Sequence, residues 1–400
     1  MAAEAGRQRL GRLRAKMADQ GLAAFLVRDT SNIQWACAFD GVFDEEQAHA
    51  LYVGPDAAVL HTDSRYAGAC RAAAEGGPVG VDDAKGTHAA FAARQWGQRQ
   101  PASPEDHLGI EDSIALSEYR KLQRAFAAQG RADLARAAKV EGDAVADAVD
   151  AASSDAAPLP FAETDGVVVG LRAVKDAAEL ERLRAAQAIT DAAFAHIVGF
   201  MRPGMTERQV QRELEDFMLR SGADGLAFPS IVATGANGAN PHAIPGSTVL
   251  EAGQCVVLDF GARARGYCSD MTRTVFLGAP EGDMLRAWEV LRRANEQAEA
   301  LIRPGVTGRE CHDLAERVLA EGGFEGAMGH GLGHGVGIDI HEQPVLSSRN
   351  DAPLEVGNVV TVEPGIYLPG RFGMRLEDCG VVTEGGFAPF TQSTHEMVVV

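Results

Sequence analysis

The chain has 400 residues, enough for two hydrophobic cores rather than one. With 46% apolar and 23% charged residues it has the composition of an ordinary soluble globular protein. A formal charge of -19 excludes a general nucleic-acid or anionic-membrane surface, since both need clustered Lys and Arg. The six cysteines (Cys37, Cys70, Cys255, Cys268, Cys311, Cys379) form no C-x-x-C pair, which argues against a disulfide scaffold or zinc ribbon and fits a reducing cytoplasm. Residues 1–20 are charged and amphipathic rather than a basic tip before an apolar core, so no signal peptide is expected. No apolar run approaches the ~20 residues of a membrane helix.

Up to about residue 131, short apolar runs (AAFLV, ALYV, AAVLHT, HLGIED) alternate with helical stretches such as RYAGACRAAAEGG and LSEYRKLQRAFAAQG. That alternation predicts an α/β domain. Residues 135–165 are rich in Ala and Asp and end near SSDAAPLP, which places a domain boundary there and divides the chain into 1–165 and 166–400. From Asp176 a long amphipathic helix carries Leu180, Leu183, Phe194, Ile197 and Val198 on one side and stops at RPGMT. Thr206 with Gln209 is a T-x-x-Q capping box that starts the next helix. About a hundred residues on, the grammar recurs: a helix over 288–302 stops at RPGVT, and Thr307 with Glu310 restarts it. Each helix pair is followed by strands, so the second domain reads as α+β with duplicated helix-pair and antiparallel-sheet halves.

CVVLDFGARARGYCSDMTRTVF (255–276) reads as a hairpin of β-formers around a Gly-bearing turn. A turn over 263–266 sets Asp259 opposite Asp270, within ~5 Å, where like charges destabilise a pair. The second copy, VVTVEPGIYLPGRFGMRLEDCGVV (359–382), centres on Gly370 and opposes Glu363 to Glu377. Two acidic pairs at corresponding places of a repeated unit call for a cation, and the usual solution is a metal centre. An all-oxygen site suits magnesium, calcium or manganese, whereas an added imidazole shifts the choice towards manganese, iron, cobalt or zinc. MGHGLGHGVGIDIHEQP (328–344) holds His330, His334 and His341, three of the chain's 11 histidines. It lacks the Lys-Ser/Thr of a phosphate-binding loop. Its glycines permit close backbone approach to a ligand.

In this order, DFG with an Asp eleven residues later in SDMTRT, GHGLGH, DIHEQP, VEPGIY and MRLED resemble the pita-bread metallopeptidases. That family includes Xaa-Pro aminopeptidases, prolidases, methionine aminopeptidases and the metal-free creatinase. The resemblance runs from about residue 170 to the end. NIQW, DSRY and LGIEDS look like the amino-terminal domain of the creatinase and prolidase branch, although QWACAF departs from the usual aromatic-Leu-Thr-Gly step. The resemblance implies two divalent ions, with manganese preferred to cobalt, iron or zinc. Asp259, Asp270, His334, Glu363 and Glu377 would hold them, and Asp270 and Glu377 would bridge. Of the histidines, the resemblance implies that His334 is the ligand, since it lies seven residues before the His of HE, the family's spacing. His330 and His341 then face the substrate, and FPSIVATGANGANPHAIPG (228–246) supplies His242.

The chemistry implied is attack of a metal-activated water on the scissile carbonyl, with Glu363 as proton acceptor and His341 and His242 as donors to the oxyanion. Arg375 either holds the site's carboxylates or His330 in place, or is a structural salt bridge. The resemblance thus implies a cytoplasmic exopeptidase that cleaves before proline in peptides, commonly a homodimer, with no nucleic-acid or membrane partner. Xaa-Pro aminopeptidase is preferred to Xaa-Pro dipeptidase, because no residue identifies a grip on a dipeptide's free carboxylate. A metal-free amidinohydrolase is disfavoured by the survival of all five ligand types. A non-catalytic scaffold is disfavoured by the lack of long charged insertions.

Overall fold

The chain divides between Leu171 and Arg172 into two units. The structure, a computed structural model, describes residues 2–44, 46–99, 103, 105–141 and 159–400. Most of the Ala- and Asp-rich connector expected over 135–165 lies outside the described residues, which break off over 142–158.

In the first unit the apolar runs form one mixed sheet. Its strands are β1 (Leu22–Val27), β2 (Ala50–Val53), β3 (Ala58–His61), β4 (Val79–Asp82), β5 (His107–Glu111) and β6 (Phe161–Thr164). They lie in the order β4-β3-β2-β1-β5-β6. The β1–β2 and β2–β3 pairs are antiparallel, and the other three pairs are parallel. The connecting helices are α1 (Ala2–Asp19), α2 (Thr30–Cys37), α3 (Ala67–Ala74), α4 (His88–Gln98) and α5 (Leu116–Glu141). One core cluster joins Leu26, Tyr52, Phe91, Leu108, Ile110 and Phe126. The charged stretch at the start is α1, which buries Leu10, Leu13 and Met17 on its apolar face.

A short helix, α6 (Val167–Ala173), precedes the long α7 (Ala177–Phe200), which opens with an Asp176–Glu179 capping box. The repeated grammar appears as two helix pairs: α7 with α8 (Glu207–Arg220), and α9 (Gly282–Leu301) with α10 (Gly308–Glu321). Thr206 with Gln209 caps α8, and Thr307 with Glu310 caps α10; both are complete capping boxes. Each capping threonine also makes the same isolated bridge to a following segment, Thr206 to Val249 and Thr307 to Pro353. The two halves are therefore built alike down to single residues.

In the first half, β7 (Gly225–Leu226), β10 (Ala262–Ala264) and β11 (Tyr267–Cys268) form a small sheet, β8 (Ile231–Thr234), β9 (Cys255–Phe260) and β12 (Met271–Phe276) pair antiparallel in sequence, and β20 (Val398–Val399) adds along β12. The hairpin register differs from expectation by two residues. Its turn is Arg265–Gly266, with φ of 51° and 75°, and Ala264 faces Tyr267 across it. Both central residues are left-handed, which suits a tight two-residue hairpin turn, centred one residue later than the turn expected over 263–266. Asp259 consequently stands opposite Thr272, not Asp270. Because the shift is two, both aspartates keep the face they were assigned.

In the second half, β13 (Gly333–Gly335), β14 (Glu342–Leu346), β15 (Val359–Val362), β18 (Asp378–Thr383) and β19 (Gly386–Pro389) form a sheet ordered β14-β13-β15-β18-β19. Within the β15–β18 hairpin, β16 (Gly365–Leu368) and β17 (Phe372–Arg375) form a smaller ladder. Gly365 faces Arg375 in that ladder and Val362 faces Asp378 in the other. The common register carries Glu363 opposite Glu377 in the gap between them, as a turn centred on Gly370 requires.

Candidate metal centre

Asp259 lies near the end of β9, Asp270 immediately before β12, and Glu363 and Glu377 in the gap of the second hairpin. His334 is the middle residue of β13, where its backbone N–H donates to Thr361 Oγ1 at 3.0 Å. Gly333 and Gly335 let neighbouring strands approach closely: a Cβ on Gly333 would lie 2.0 Å from the carbonyl oxygen of Thr361, and one on Gly335 2.3 Å from that of Gln343. The ligand atoms of Asp270, His334 and Glu377 all lie within 4.8 Å of one another. His334 Nε2 is 3.6 Å from Asp270 Oδ2 and 3.4 Å from Glu363 Oε1. Two hairpins and a histidine strand thus bring one imidazole and the carboxylates of both halves together.

Among the described residues, Arg375 is the one arginine paired with any of the four carboxylates. Its Nη2 pairs with Asp259 Oδ2, its Nε donates to Thr272 Oγ1 at 2.9 Å, and its Nη1 donates to Tyr367 Oη at 2.6 Å. Tyr367 Oη in turn lies 3.1 Å from His330 Nε2, so this arginine reaches Asp259 directly and His330 through a tyrosine. Thr272, opposite Asp259 in the ladder, donates to Glu377 Oε2 at 2.6 Å.

One fixed cation cannot balance four carboxylates, of which Asp259, Asp270 and Glu377 are buried and Glu363 is partly buried. Burial, reinforced by Glu377, Asp259 and Glu363, pushes the Asp270 carboxyl well above its ordinary range. Burial together with Glu363 and Asp259 does the same to Glu377, and burial raises Glu363. Asp259 Oδ1 is buried without a hydrogen-bond partner. An orphaned carboxylate oxygen, a surplus of buried negative charge and an adjacent imidazole fit divalent cations. Burial lowers the pKa of His334 and keeps its ring neutral, as a metal ligand must be.

A second acidic cluster, Glu299, Asp378 and His395, shows the contrast. There Arg273 Nη2 lies 2.7 Å from Asp378 Oδ1, and His395 Nε2 lies 2.5 Å from Asp378 Oδ2. Burial and the neighbouring Asp378 push Glu299 up to about 8, so it keeps its proton. The Arg273 guanidinium and the proton kept by Glu299 offset the negative charge of that cluster.

The first cluster opens into a cavity of about 750 Å³. Asp259, Asp270, His334, Glu363, Arg375 and Glu377 all reach its wall, as do His242, His330 and His341. Every residue singled out in the sequence therefore meets in one place. The His341 ring stands edge-on to that of His334, with centroids 4.4 Å apart. Phe228, Pro229, Ile231, Ile340 and Val345 make an apolar side, and Ile244 beside His242 is 85% exposed. Among the lining residues that the sequence did not single out is Arg349. Among the described residues its guanidinium has no hydrogen-bond or ion-pair partner. It also lines an adjoining polar cavity of about 400 Å³ with His312, Glu316, Ser347 and Ser348.

Residues 181–384 match the sequence model of Metallopeptidase family M24, and residues 9–140 match that of the Creatinase/Prolidase N-terminal domain. An Xaa-Pro dipeptidase of Lactobacillus delbrueckii subsp. lactis is 39% identical over 58% of this chain, and the match spans 64% of that relative, slightly under two thirds. The solved Xaa-Pro dipeptidase from Bacillus anthracis superposes with a TM-score of 0.83 at 32% identity, covering 99% of this chain and 100% of that one. An X-Pro aminopeptidase from Thermotoga maritima MSB8 gives 0.78 at 30% identity, covering 96% and 100%.

Proposed function

This chain belongs to metallopeptidase family M24, and on that premise we propose that it hydrolyses the bond before proline in Xaa-Pro dipeptides. The observation that carries the reading is Arg349. A dipeptidase must grip the free carboxylate of its proline, and an unpaired guanidinium at the cavity wall offers that grip. Two of the three relatives above bear the name Xaa-Pro dipeptidase. The reading reverses the preference for an aminopeptidase, which rested on the lack of such a residue.

Asp259, Asp270, His334, Glu363 and Glu377 would hold two divalent ions, manganese being the expected metal. Bound divalent cations supply a hydroxide nucleophile near neutral pH and polarise a carbonyl. Glu363, whose Oε1 accepts from Thr361 Oγ1 at 3.2 Å, takes the proton of the attacking water and returns it to the leaving proline nitrogen. His341 and His242 donate to the oxyanion. Arg375 holds Asp259 and, through Tyr367, orients His330. The apolar wall excludes water and receives the residue before proline.

A second reading, Xaa-Pro aminopeptidase, is favoured by the polar cavity beyond Arg349, which has room for a residue after proline. Comparing kcat/KM on Ala-Pro and Ala-Pro-Ala separates the two. The proposal expects the dipeptide to be the better substrate. Arg349→Met should raise KM for the dipeptide about 10-fold or more, the scale of one charge-assisted hydrogen bond, and should spare the tripeptide. A tripeptide preference that survives in the Arg349→Met chain sinks the dipeptidase reading.

A further inference from the structure

His341 immediately precedes β14, and the first residue of that strand, Glu342, is buried. Successive side chains in extended backbone point to opposite faces, so whatever fixes Glu342 also fixes how His341 enters the cavity. Two buried cations fix it. Arg172 Nη2 pairs with Glu342 Oε1, and Lys175 Nζ lies 3.1 Å from Oε2. Arg172 and Lys175 are 4% and 5% exposed, so water does not screen the group. Arg172 Nη2 also lies 2.6 Å from Asp339 Oδ2, and the Asp339 N–H donates to Glu342 Oε1 at 3.1 Å.

Both sides of this contact are anchored. The Lys175 N–H donates to the carbonyl of Gly357 at 2.9 Å, and Asn358 Nδ2 donates to that of Ala173 at 3.1 Å. On the other side, Cys268 N–H donates to the Gly337 carbonyl at 2.8 Å and Arg263 Nη2 to that of Ile338 at 2.7 Å. A Cβ on Gly337 would sit 2.4 Å from Glu342 Oε1, so the loop before His341 closes over the carboxylate with no room to spare. Buried ion pairs seldom gain stability over apolar packing, and their best-attested use is to fix one arrangement.

We infer that Arg172 and Lys175 are positioning residues for His341, acting through Glu342. The inference rests on the reading of His341 as a hydrogen-bond donor in the reaction proposed above. Neither cation lines the catalytic cavity.

The test is a double-mutant cycle in the full chain loaded with manganese. Arg172→Met should lower kcat for an Xaa-Pro substrate about 10- to 100-fold, the scale of a misplaced catalytic group, with KM and metal content held. Arg172→Lys should recover part of the loss. In a His341→Ala background, Arg172→Met should cost less than about 2-fold more, since the group it positions is gone. A merely structural role would make the loss equal in both backgrounds, which overturns the inference, as does wild-type kcat in both Arg172→Met and Lys175→Met. If Arg172→Met does not fold, Lys175→Met runs the same cycle with Arg172 still on Glu342. If the wild type binds metal but cleaves no Xaa-Pro peptide, the proposed function fails, and the imidazole NMR signals of His341, recorded with diamagnetic zinc in place of manganese, then decide. They should move in Arg172→Met and return in Arg172→Lys; unmoved signals overturn the inference.

Discussion

Arg375 stands where a metal-free site needs positive charge most, paired with Asp259 and backed by Thr272 and Tyr367. One guanidinium leaves Asp270 and Glu377 to repel each other. Asp270→Ala and Glu377→Ala should therefore abolish metal binding and hydrolysis together, read by elemental analysis of purified protein beside an activity assay. His341→Ala should keep the metal and lose about 10²-fold in turnover, as expected when an oxyanion donor is removed. If His341→Ala emptied the site, its role and that of His334 would be exchanged. Glu342 gives a pH test. Burial pushes its carboxyl up, but Lys175 and Arg172 outweigh burial and hold it below its ordinary 4.5. An acid with a depressed folded pKa contributes stability above its unfolded pKa and loses it as pH falls through the folded value. The melting-temperature gap between wild type and Glu342→Gln should thus be full at pH 6 and shrink below about pH 4.5; a gap that stays constant to pH 3 contradicts the assignment. The histidines were legible because three fall in one short run. Arg349 was not, because an arginine after two serines carries no pattern, and only the folded cavity shows that no described residue pairs with its guanidinium. The Arg172–Glu342 contact was hidden by a separation of 170 residues.

Hairpins and caps carry the next level of organisation. The acidic pairs were readable because side chains alternate along strands, and an error of two in register preserves every face. The error arose because Arg265, a non-glycine residue in left-handed conformation, takes the first central turn position. Because a non-glycine residue seldom takes positive φ, the sequence pointed to a turn one residue earlier. Gly370 left no such ambiguity, and the second hairpin has the register its turn dictates. The helix starts were equally plain, since a capping box is a local device whose residues lie three apart. Thr206→Ala and Thr307→Ala should each cost about 1 kcal/mol in denaturant unfolding of the chelated protein. The two losses should be alike, because both threonines make the same box and the same bridge. A loss near zero at one of them would mean that the halves are alike in shape but not in energetics.

Across the second unit as a whole, the duplication is the device that gathers charge: each half contributes a helix pair, a hairpin and an acidic pair. The energetic debt of that gathering falls on the metal-free protein. Chelation should lower the melting temperature, and divalent ion at a hundred times its Kd should restore about 2.7 kcal/mol for each site it fills. Magnesium or calcium in place of manganese should restore less, since an imidazole among the ligands favours the transition metals. The most direct measurement is a titration of exhaustively chelated protein with manganese, following bound ion per chain and release of proline from an Xaa-Pro dipeptide in the same samples. We expect no hydrolysis at zero metal and recovery that saturates as two ions bind per chain. Full hydrolysis without metal, or two bound ions without hydrolysis, would contradict the assignment of these carboxylates to a peptidase metal centre.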